Sequence, residues 1–358
     1  MNQRIIGIDV ARAIAIIGMI IVNFKMVFGH KGTHWLESMV SILDGKAAAT
    51  FVVLAGVGIA FMTNRAIDKN DDARLRQSQI KIVKRALLLF AIGLSYLFIW
   101  PADILHFYGI YMLLTLLLIK SKPNVILVFA LSTILVYPLL MAFFSYDYNW
   151  DFSTFEYQGF WTLSGFVSNL FYNGFHPVLP WTAFMLIGLW FGKQDLNDDG
   201  FIKKTIWISL ALFILLKVIS IIFISLLSDG NTNTTTDLSL VFGTSPMPPL
   251  PIYMLTGSSI AIFVISLSIL VSKKLKGNVI VRSLSKTGQL ALSFYVAHVV
   301  VGMGIVEITD YKNLGEFSLA FSIIYALAFS LLCILFAVIW LRYKKTGPLE
   351  WVMRKLSN

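Results

Sequence analysis

The chain has 358 residues, of which 57% are hydrophobic and 13% charged, and its mean hydropathy is +0.78. Soluble domains carry about 25% charged residues, so the composition excludes an ordinary soluble protein and indicates a membrane protein. The net charge of +10 does not indicate nucleic-acid binding, because the basic residues cluster between the apolar runs. A single cysteine, Cys333, excludes an intrachain disulfide and a cysteine-based metal site, and we predict no metal.

Apolar runs along the chain predict an all-α integral membrane protein, a polytopic bundle of about ten transmembrane helices. Each run is near the ~20 residues that cross ~30 Å of hydrocarbon, although several are shorter. The first run, Ile5 to Phe28, is too long for the apolar part of a signal peptide and predicts a retained span. The predicted spans are 5–28, 47–63, 82–100, 104–119, 124–144, 178–192, 204–227, 250–271, 288–307 and 317–341.

The positions of Lys and Arg predict the orientation of this bundle. With the N-terminus in the cytoplasm, 23 of the 29 Lys and Arg residues lie in cytoplasmic segments. The outer segments then hold only Lys31, Lys46 and Lys312. This bias is the positive-inside rule, and it predicts that both termini are cytoplasmic. We expect one transmembrane domain over residues 1–358, in a bacterial plasma membrane.

Three connecting segments are longer than simple turns. The cytoplasmic segment 64–81 is charged and predicts an amphipathic continuation of a helix. The outer segment 145–177 contains an apolar stretch, 161–175, that predicts an extra re-entrant or interfacial helix, because a full span there would break the charge alternation. The outer segment 228–249 is rich in Thr and Asn and then in Pro, which predicts an irregular loop that could act as a lid.

A polar trio, Asn23, His34 and Asp44, lies where the first predicted span ends and the second begins. If the loop between these spans folds over the bundle, the three side chains converge. His34 would then act as a general base, Asp44 would orient its ring, and Asn23 would donate a hydrogen bond to a developing oxyanion. The alternative is an ordinary wet membrane surface, where histidines are common.

Charged and polar side chains inside predicted spans are functional candidates, because burying them in a bilayer is unfavourable. Asp9 and Arg12 lie one turn apart on one side of the first span. They form either a structural ion pair or a contact for the phosphates or pantetheine of CoA. Lys217 and His298 either line a polar cavity that binds the same co-substrate or make structural hydrogen bonds between helices.

A second group, Asp103, His106 and His176, falls near the predicted outer face. Histidines and carboxylates on one membrane face suit acid–base work near neutral pH, so we predict that this group binds the acceptor substrate. The alternative, that these are interfacial histidines without a function, stays open for His176 in particular.

Several motifs occur together along the chain. They are Arg4-x4-Asp9-x2-Arg12, Val22-Asn23, His34, Asp44, Phe51 to Gly56, Asp103-Ile104-Leu105 with Tyr108, Pro180-Trp181 with Gly188 and Gly192, and Gly347-Pro348-Leu349-Glu350-Trp351. On these motifs the chain resembles the transmembrane acyltransferases of the YeiB-like and heparan-α-glucosaminide N-acetyltransferase-like family. In family enzymes ten residues separate an Asn from a His and nine separate that His from an Asp, a pattern that Asn23, His34 and Asp44 match.

The resemblance implies an acyl-CoA-dependent enzyme that moves an acyl group, usually from acetyl-CoA in the cytoplasm, to an acceptor on the far side of the membrane. It also implies that His34 is the catalytic residue, with Asn23 beside it. The related surface-polysaccharide O-acyltransferases share the Asp-x2-Arg motif but have a His where this chain has Asn23. That difference favours the amino-sugar N-acetyltransferase branch and leaves the acceptor, and N- or O-transfer, open.

A transporter or flippase for a polar lipid or sugar precursor is the alternative from another functional class. It would use Asp9, Arg12 and Lys217 as a relay instead of His34 as a base. Binding of CoA thioesters and labelling of an acceptor separate the two. The predicted partners of the enzyme are acyl-CoA, a glycan or amino-sugar acceptor and membrane lipid, without nucleic acid, and a homodimer stays open.

Overall fold

The structure, a computed structural model, describes residues 4–32, 34–228 and 232–357. Nearly all of this part is helical, apart from connecting loops and a hairpin of two short antiparallel strands, Trp150–Asp151 (β1) and Glu156–Tyr157 (β2). The helices are α1 (Ile6–Phe28), α2 (His34–Ser41), α3 (Lys46–Asp68), α4 (Asp72–Tyr96), α5 (Leu105–Leu116), α6 (Pro123–Met141), α7 (Leu163–Ser168), α8 (Val178–Gly192), α9 (Asp199–Leu227), α10 (Thr232–Phe242), α11 (Pro251–Lys274), α12 (Val279–Gly288), α13 (Ala291–Ala297), α14 (Gly304–Asp310), α15 (Leu319–Tyr343) and α16 (Pro348–Ser357), with π-helical turns at Asn169–Asn173 and His298–Met303 and a 3-10 turn at Tyr311–Asn313.

The predicted helical membrane architecture is confirmed. Within the described residues, seven helical stretches are long and apolar enough to cross a membrane, or eight if a bent pair counts as one span. That pair joins Leu163–Asn173 to Val178–Gly192 at an angle of 44°. The seven are Ile6–Phe28, His34–Asp68, Pro123–Met141, Asp199–Leu227, Pro251–Lys274, Ala291–Asn313 and Leu319–Tyr343.

The other predicted spans, 82–100 and 104–119, form α4 and α5. Helix α4 carries charged residues along its first half, and α5 has only 12 residues. Neither therefore belongs with the long apolar helices, since a straight span needs about 20 apolar residues. The count of ten spans and the cytoplasmic termini remain predictions.

Two connecting segments differ in part from the structure that the sequence predicts for them. The segment 64–81 is helical as predicted, but the helix breaks between α3 and α4, where Asp71 accepts a hydrogen bond from the backbone N–H of Arg74 and caps α4. The prediction that 228–249 is irregular is wrong for α10; residues 229–231 lie outside the described part. Thr and Ser hydroxyls of α10 donate to carbonyls one turn back, so its polar side chains do not disrupt the helix.

The described chain divides into two compact units. The first comprises the chain up to Phe51 together with Leu196–Ile206 and Ala261–Leu356, and the second comprises Val52–Asp195 and Trp207–Ile260. In the first unit, α1 packs against α12, α13 and α15. In the second, α4 packs on α5, and α8 packs on both α5 and α6.

Glycines bring helix backbones into direct contact in the first unit. A Cβ atom on Gly288 would lie 1.8 Å from the carbonyl oxygen of Asp9, and one on Gly7 would lie 2.3 Å from the Cα atom of Ile269. Small residues allow this approach in membranes, where helices associate through packing and not through a hydrophobic driving force. The backbone of α1 is therefore held at two points, by α12 and by α11.

We expect Gly288→Ala to lower the thermal stability of the protein. The added methyl group has no space against the backbone of α1, and overpacking of this kind destabilises proteins by about 1–3 kcal/mol. Gly304→Ala is the matched control, because a Cβ atom there meets nothing within 4 Å. Thermal melts of the two detergent-purified variants test this, and equal melting temperatures would contradict the close contact.

Candidate functional site

Asn23 and His298 form a polar pair in the first unit. The Nδ2 atom of Asn23, near the end of α1, lies 2.9 Å from Nε2 of His298, which begins the π-helical turn after α13. An amide nitrogen only donates, so in this orientation Nε2 accepts and the imidazole proton resides on Nδ1. His298 is 0% exposed, and its Nδ1 atom has no hydrogen-bond partner among the described residues. The neutral imidazole therefore holds the Asn23 amide in place.

Aromatic rings surround this pair. The ring of Phe24 lies 6.2 Å from that of His298, and the ring of Tyr325 lies 5.4 Å from Phe24. The hydroxyl of Tyr325 donates to the carbonyl of Gly302 inside the π-helical turn at 2.9 Å. Such widened turns often occur at functional sites, and the apolar surroundings strengthen the hydrogen bond between the amide and the imidazole.

Asp44 is paired with a lysine that the sequence analysis did not assign to the site. The Nζ atom of Lys25 lies 2.7 Å from both carboxylate oxygens of Asp44, and both side chains are at most partly exposed. The bridge joins the end of α1 to the turn before α3. Opposite charges at facing ends of two consecutive spans were the signal that could have predicted it.

His34 is the first residue of α2, and its side chain is exposed. Within the described residues no hydrogen bond or ion pair joins its ring to Asn23 or Asp44; its carbonyl accepts from the hydroxyl of Ser38. The structure thus pairs Asn23 with His298 and Asp44 with Lys25, and leaves the His34 ring open to incoming groups. The catalytic roles predicted for the trio remain predictions.

Asp9 lies between two guanidinium groups. Its carboxylate is buried and accepts from Nε of Arg4 at 2.7 Å and from a terminal nitrogen of Arg12 at 2.9 Å. The predicted ion pair of Asp9 and Arg12 is present, with Arg4 added. Two arginines on one carboxylate leave a net charge of +1, and both guanidinium groups keep exposed surface.

Lys217 makes a side-chain hydrogen bond to a residue in the loop after α10, and its role in co-substrate binding remains a prediction. Its Nζ atom, on α9, donates to the hydroxyl of Thr244 at 2.7 Å. Lys217 belongs to the second unit and His298 to the first.

Asp103, His106 and His176 come together in the second unit. The Oδ2 atom of Asp103 lies 3.2 Å from Nδ1 of His106, and an electrostatic interaction links His106 to His176. Asp103 and His106 are fully buried, and His176 is half-buried. The three residues predicted to bind substrate are therefore neighbours; their role remains a prediction.

Comparison with known proteins assigns the family. Residues 4–224 match the family model described as heparan-alpha-glucosaminide N-acetyltransferase, catalytic. The chain belongs to this family. The resemblance predicted from the motifs is confirmed, and the matched region contains Asn23, His34, Asp44, Asp103 and Lys217.

Two further comparisons concern the rest of the chain. Residues 190–358 match a family model described as a protein of unknown function, DUF418. The uncharacterized protein YxaH of Bacillus subtilis (strain 168) is similar to this chain, with 28% identity over 166 residues. That alignment covers 41% of this chain and 40% of YxaH, so it spans less than half of the relative's length. No solved structure matches the chain.

The C-terminal motif of this acyltransferase family member fixes the helix that leads to His298. The two carboxylate oxygens of Glu350 accept from the backbone N–H of Ser293, at 3.0 Å, and from its hydroxyl. The Ser293 hydroxyl accepts in turn from the N–H of Leu349 at 3.0 Å. Helix α13 lacks a side-chain cap at Leu290, so Glu350 supplies the acceptor for its first turn. The sequence identified this motif by resemblance without a role.

We expect the Lys25–Asp44 bridge to be energetically coupled. Lys25→Met and Asp44→Asn should each lower stability, and the double variant should lose less than the sum of the two, with a coupling of about 0.5–3 kcal/mol. The exposed pair Lys120–Asp72 is the control cycle, because exposed bridges contribute about 0–1 kcal/mol. Chemical unfolding of the variants measures both cycles. Strict additivity at Lys25 and Asp44 would rule out the bridge.

We expect Glu350→Ala to destabilise the protein by about 1–3 kcal/mol, because the N–H and hydroxyl of Ser293 lose their acceptors. Glu316→Ala is the matched control, since Glu316 forms an exposed bridge with Lys31. Melting temperatures of both variants test the difference. A Glu350→Ala variant as stable as Glu316→Ala would show that the motif does not hold α13.

Proposed function

We propose that this protein is an acyl-CoA-dependent acyltransferase of a bacterial plasma membrane. It takes an acetyl or other acyl group from acyl-CoA in the cytoplasm and transfers it to an amino sugar, or another glycan of the envelope, on the outer side. The observation that carries the proposal is the family match over residues 4–224, which contains Asn23, His34 and Asp44 in the family's spacing.

His34 is the proposed general base. Its exposed ring makes no side-chain hydrogen bond within the described residues, so an incoming amine or hydroxyl can reach it. A neutral imidazole is the side chain best suited to accept a proton near neutral pH. Asp44 contributes through its salt bridge to Lys25, which connects the end of α1 to the turn before α3.

The proposed reaction is a direct transfer. The acceptor nitrogen or oxygen attacks the thioester carbonyl carbon while His34 takes its proton. The C–S bond then breaks, and His34 returns the proton to the CoA thiolate. The Asn23 amide has a second N–H that is not bonded to His298, and this N–H donates to the oxyanion. The interaction strengthens as negative charge develops on that oxygen. A ping-pong route through an acyl-histidine is the alternative within the same function.

The arginines around Asp9 support a role in binding the co-substrate. CoA carries several negative charges, and Arg4 and Arg12 leave one uncompensated positive charge at the N-terminal end of α1. Basic residues also cluster at the ends of α11 and α15, where they attract anions over a distance. We assign Arg12 to the phosphates or pantetheine of CoA, and His298 to the positioning of Asn23.

We expect His34→Ala to lower acyl transfer at least 100-fold, within the ~10²–10⁴ range of general acid–base catalysis, without a change in melting temperature. The exposed His30, four residues earlier, is the control, and His30→Ala should keep full activity. Transfer of labelled acetyl groups from acetyl-CoA to glucosamine measures the effect. Full activity in His34→Ala would remove the proposed base.

The same variants separate binding from chemistry. A thioester at 100 times its dissociation constant adds ~2.7 kcal/mol of stability. This stabilisation should survive His34→Ala and disappear in Arg12→Ala. If no CoA thioester stabilises the wild-type protein and no acceptor is labelled, the transporter or flippase becomes the better assignment.

A further inference from the structure

Residues 342–356, which include the end of α15 and most of α16, form a strongly basic segment. Its single acidic side chain, Glu350, is occupied by the N–H and hydroxyl of Ser293. Five basic side chains are exposed, and none of them takes part in a salt bridge within the described residues. They are Arg342, Lys344, Lys345, Arg354 and Lys355. The segment therefore presents uncompensated positive charge to its surroundings.

A short, hydrogen-bonded connection keeps α16 close to the end of α15. Four residues separate the two helices. Within this connection the indole N–H of Trp340 donates to the carbonyl oxygen of Thr346 at 2.9 Å. Glu350 then ties the first turn of α16 to Ser293. Helix α15 is long and apolar enough to cross a membrane, so α16 begins where that span leaves the hydrocarbon.

Apolar and basic side chains lie side by side on the exposed face of α16. Trp351 is 55% exposed, Leu356 is 56% exposed and Val352 is 37% exposed. With 3.6 residues per turn, these three residues fall within roughly 140° of the helix circumference. Lys355 lies on the same side, with its Nζ atom 5.2 Å from the centroid of the Trp351 ring. Arg354 borders this face roughly 60° beyond Trp351.

This face is typical of a helix that lies in the plane of a membrane interface. Such helices bury an apolar face at the boundary between headgroups and acyl chains and direct Lys and Arg to the lipid phosphates. The positive-inside rule accounts for basic residues beside a span, but it does not account for an exposed Trp351 and Leu356 between them. A cluster of four to eight basic residues next to a span is characteristic of binding to anionic lipid.

We propose that α16 is an interfacial anchor that binds the headgroups of anionic bilayer lipids. Trp351, Val352 and Leu356 enter the boundary between headgroups and acyl chains. Arg354 and Lys355 contact the lipid phosphates, and the basic residues at the end of α15 strengthen the attraction. The anchor does not depend on acyl transfer.

Quenching of tryptophan fluorescence by brominated phosphatidylglycerol, titrated into the detergent-purified protein, tests the anchor. The chain has nine tryptophans, so the signal of Trp351 is the difference between the wild-type protein and Trp351→Phe. We expect the bromine atoms to quench this difference signal, because the proposed position of Trp351 is next to the acyl chains. Brominated phosphatidylcholine, which has no net charge, is the lipid control and should quench it only at much higher concentration.

The double variant Arg354→Gln with Lys355→Gln tests the role of charge. Its affinity for phosphatidylglycerol should fall about 30-fold, since each basic residue near an anionic surface contributes about 1 kcal/mol and 1.4 kcal/mol corresponds to a factor of ten. Arg74→Gln with Arg76→Gln on α4 is the charge-matched control, because these exposed arginines follow two aspartates in the sequence. The control should bind the lipid as tightly as the wild-type protein does.

Four results would overturn the anchor. They are quenching that does not depend on Trp351, equal quenching by the two lipids, an unchanged affinity in the Arg354 and Lys355 double variant, and displacement of the lipid by inorganic phosphate. The last would assign the two basic residues to a soluble anion. Melting temperatures without lipid show whether each variant is folded, and the single variants Arg354→Gln and Lys355→Gln supply the test if the double variant is not.

Discussion

The pairing of polar groups along α1 is the constraint on which the first unit depends. This helix carries a carboxylate, an amide and an amine through an apolar stretch, and each group has a defined partner: Asp9 with two arginines, Asn23 with His298, and Lys25 with Asp44. Unpaired, these groups would be unfavourable in hydrocarbon. Their partners come from α1 and the segment just before it, from the turn before α3 and from the turn after α13, so pairing also selects which segments pack around α1.

The glycine contacts and the C-terminal motif serve the same arrangement. Gly288 lets the backbone of α12 touch α1 at Asp9, and Glu350 caps the next helix, α13, through Ser293. His298 follows directly after α13, so its position beside Asn23 depends on both contacts. A motif recognised only by resemblance thereby acquires a physical role: it orients the helix that presents the imidazole.

The two units hold polar sites of different character. In the first, each polar side chain of α1 has a charged or polar partner, and the His34 ring is exposed. In the second, Asp103 and His106 form a fully buried pair that packs among aromatic rings.

The sequence by itself determined the membrane class, most helices, the family and the candidate residues. These follow from properties local to the chain: apolar runs of membrane length, the Lys and Arg bias, and motif spacing. Only the tertiary structure decided the partners. Asn23 and His298 are 275 residues apart, and Glu350 and Ser293 are 57 apart, so no periodicity relates them. The helix α10 within 228–249 was missed because its Thr-rich and Asn-rich composition predicts a loop. In the structure its Thr and Ser hydroxyls donate hydrogen bonds within the helix, so they do not disrupt it.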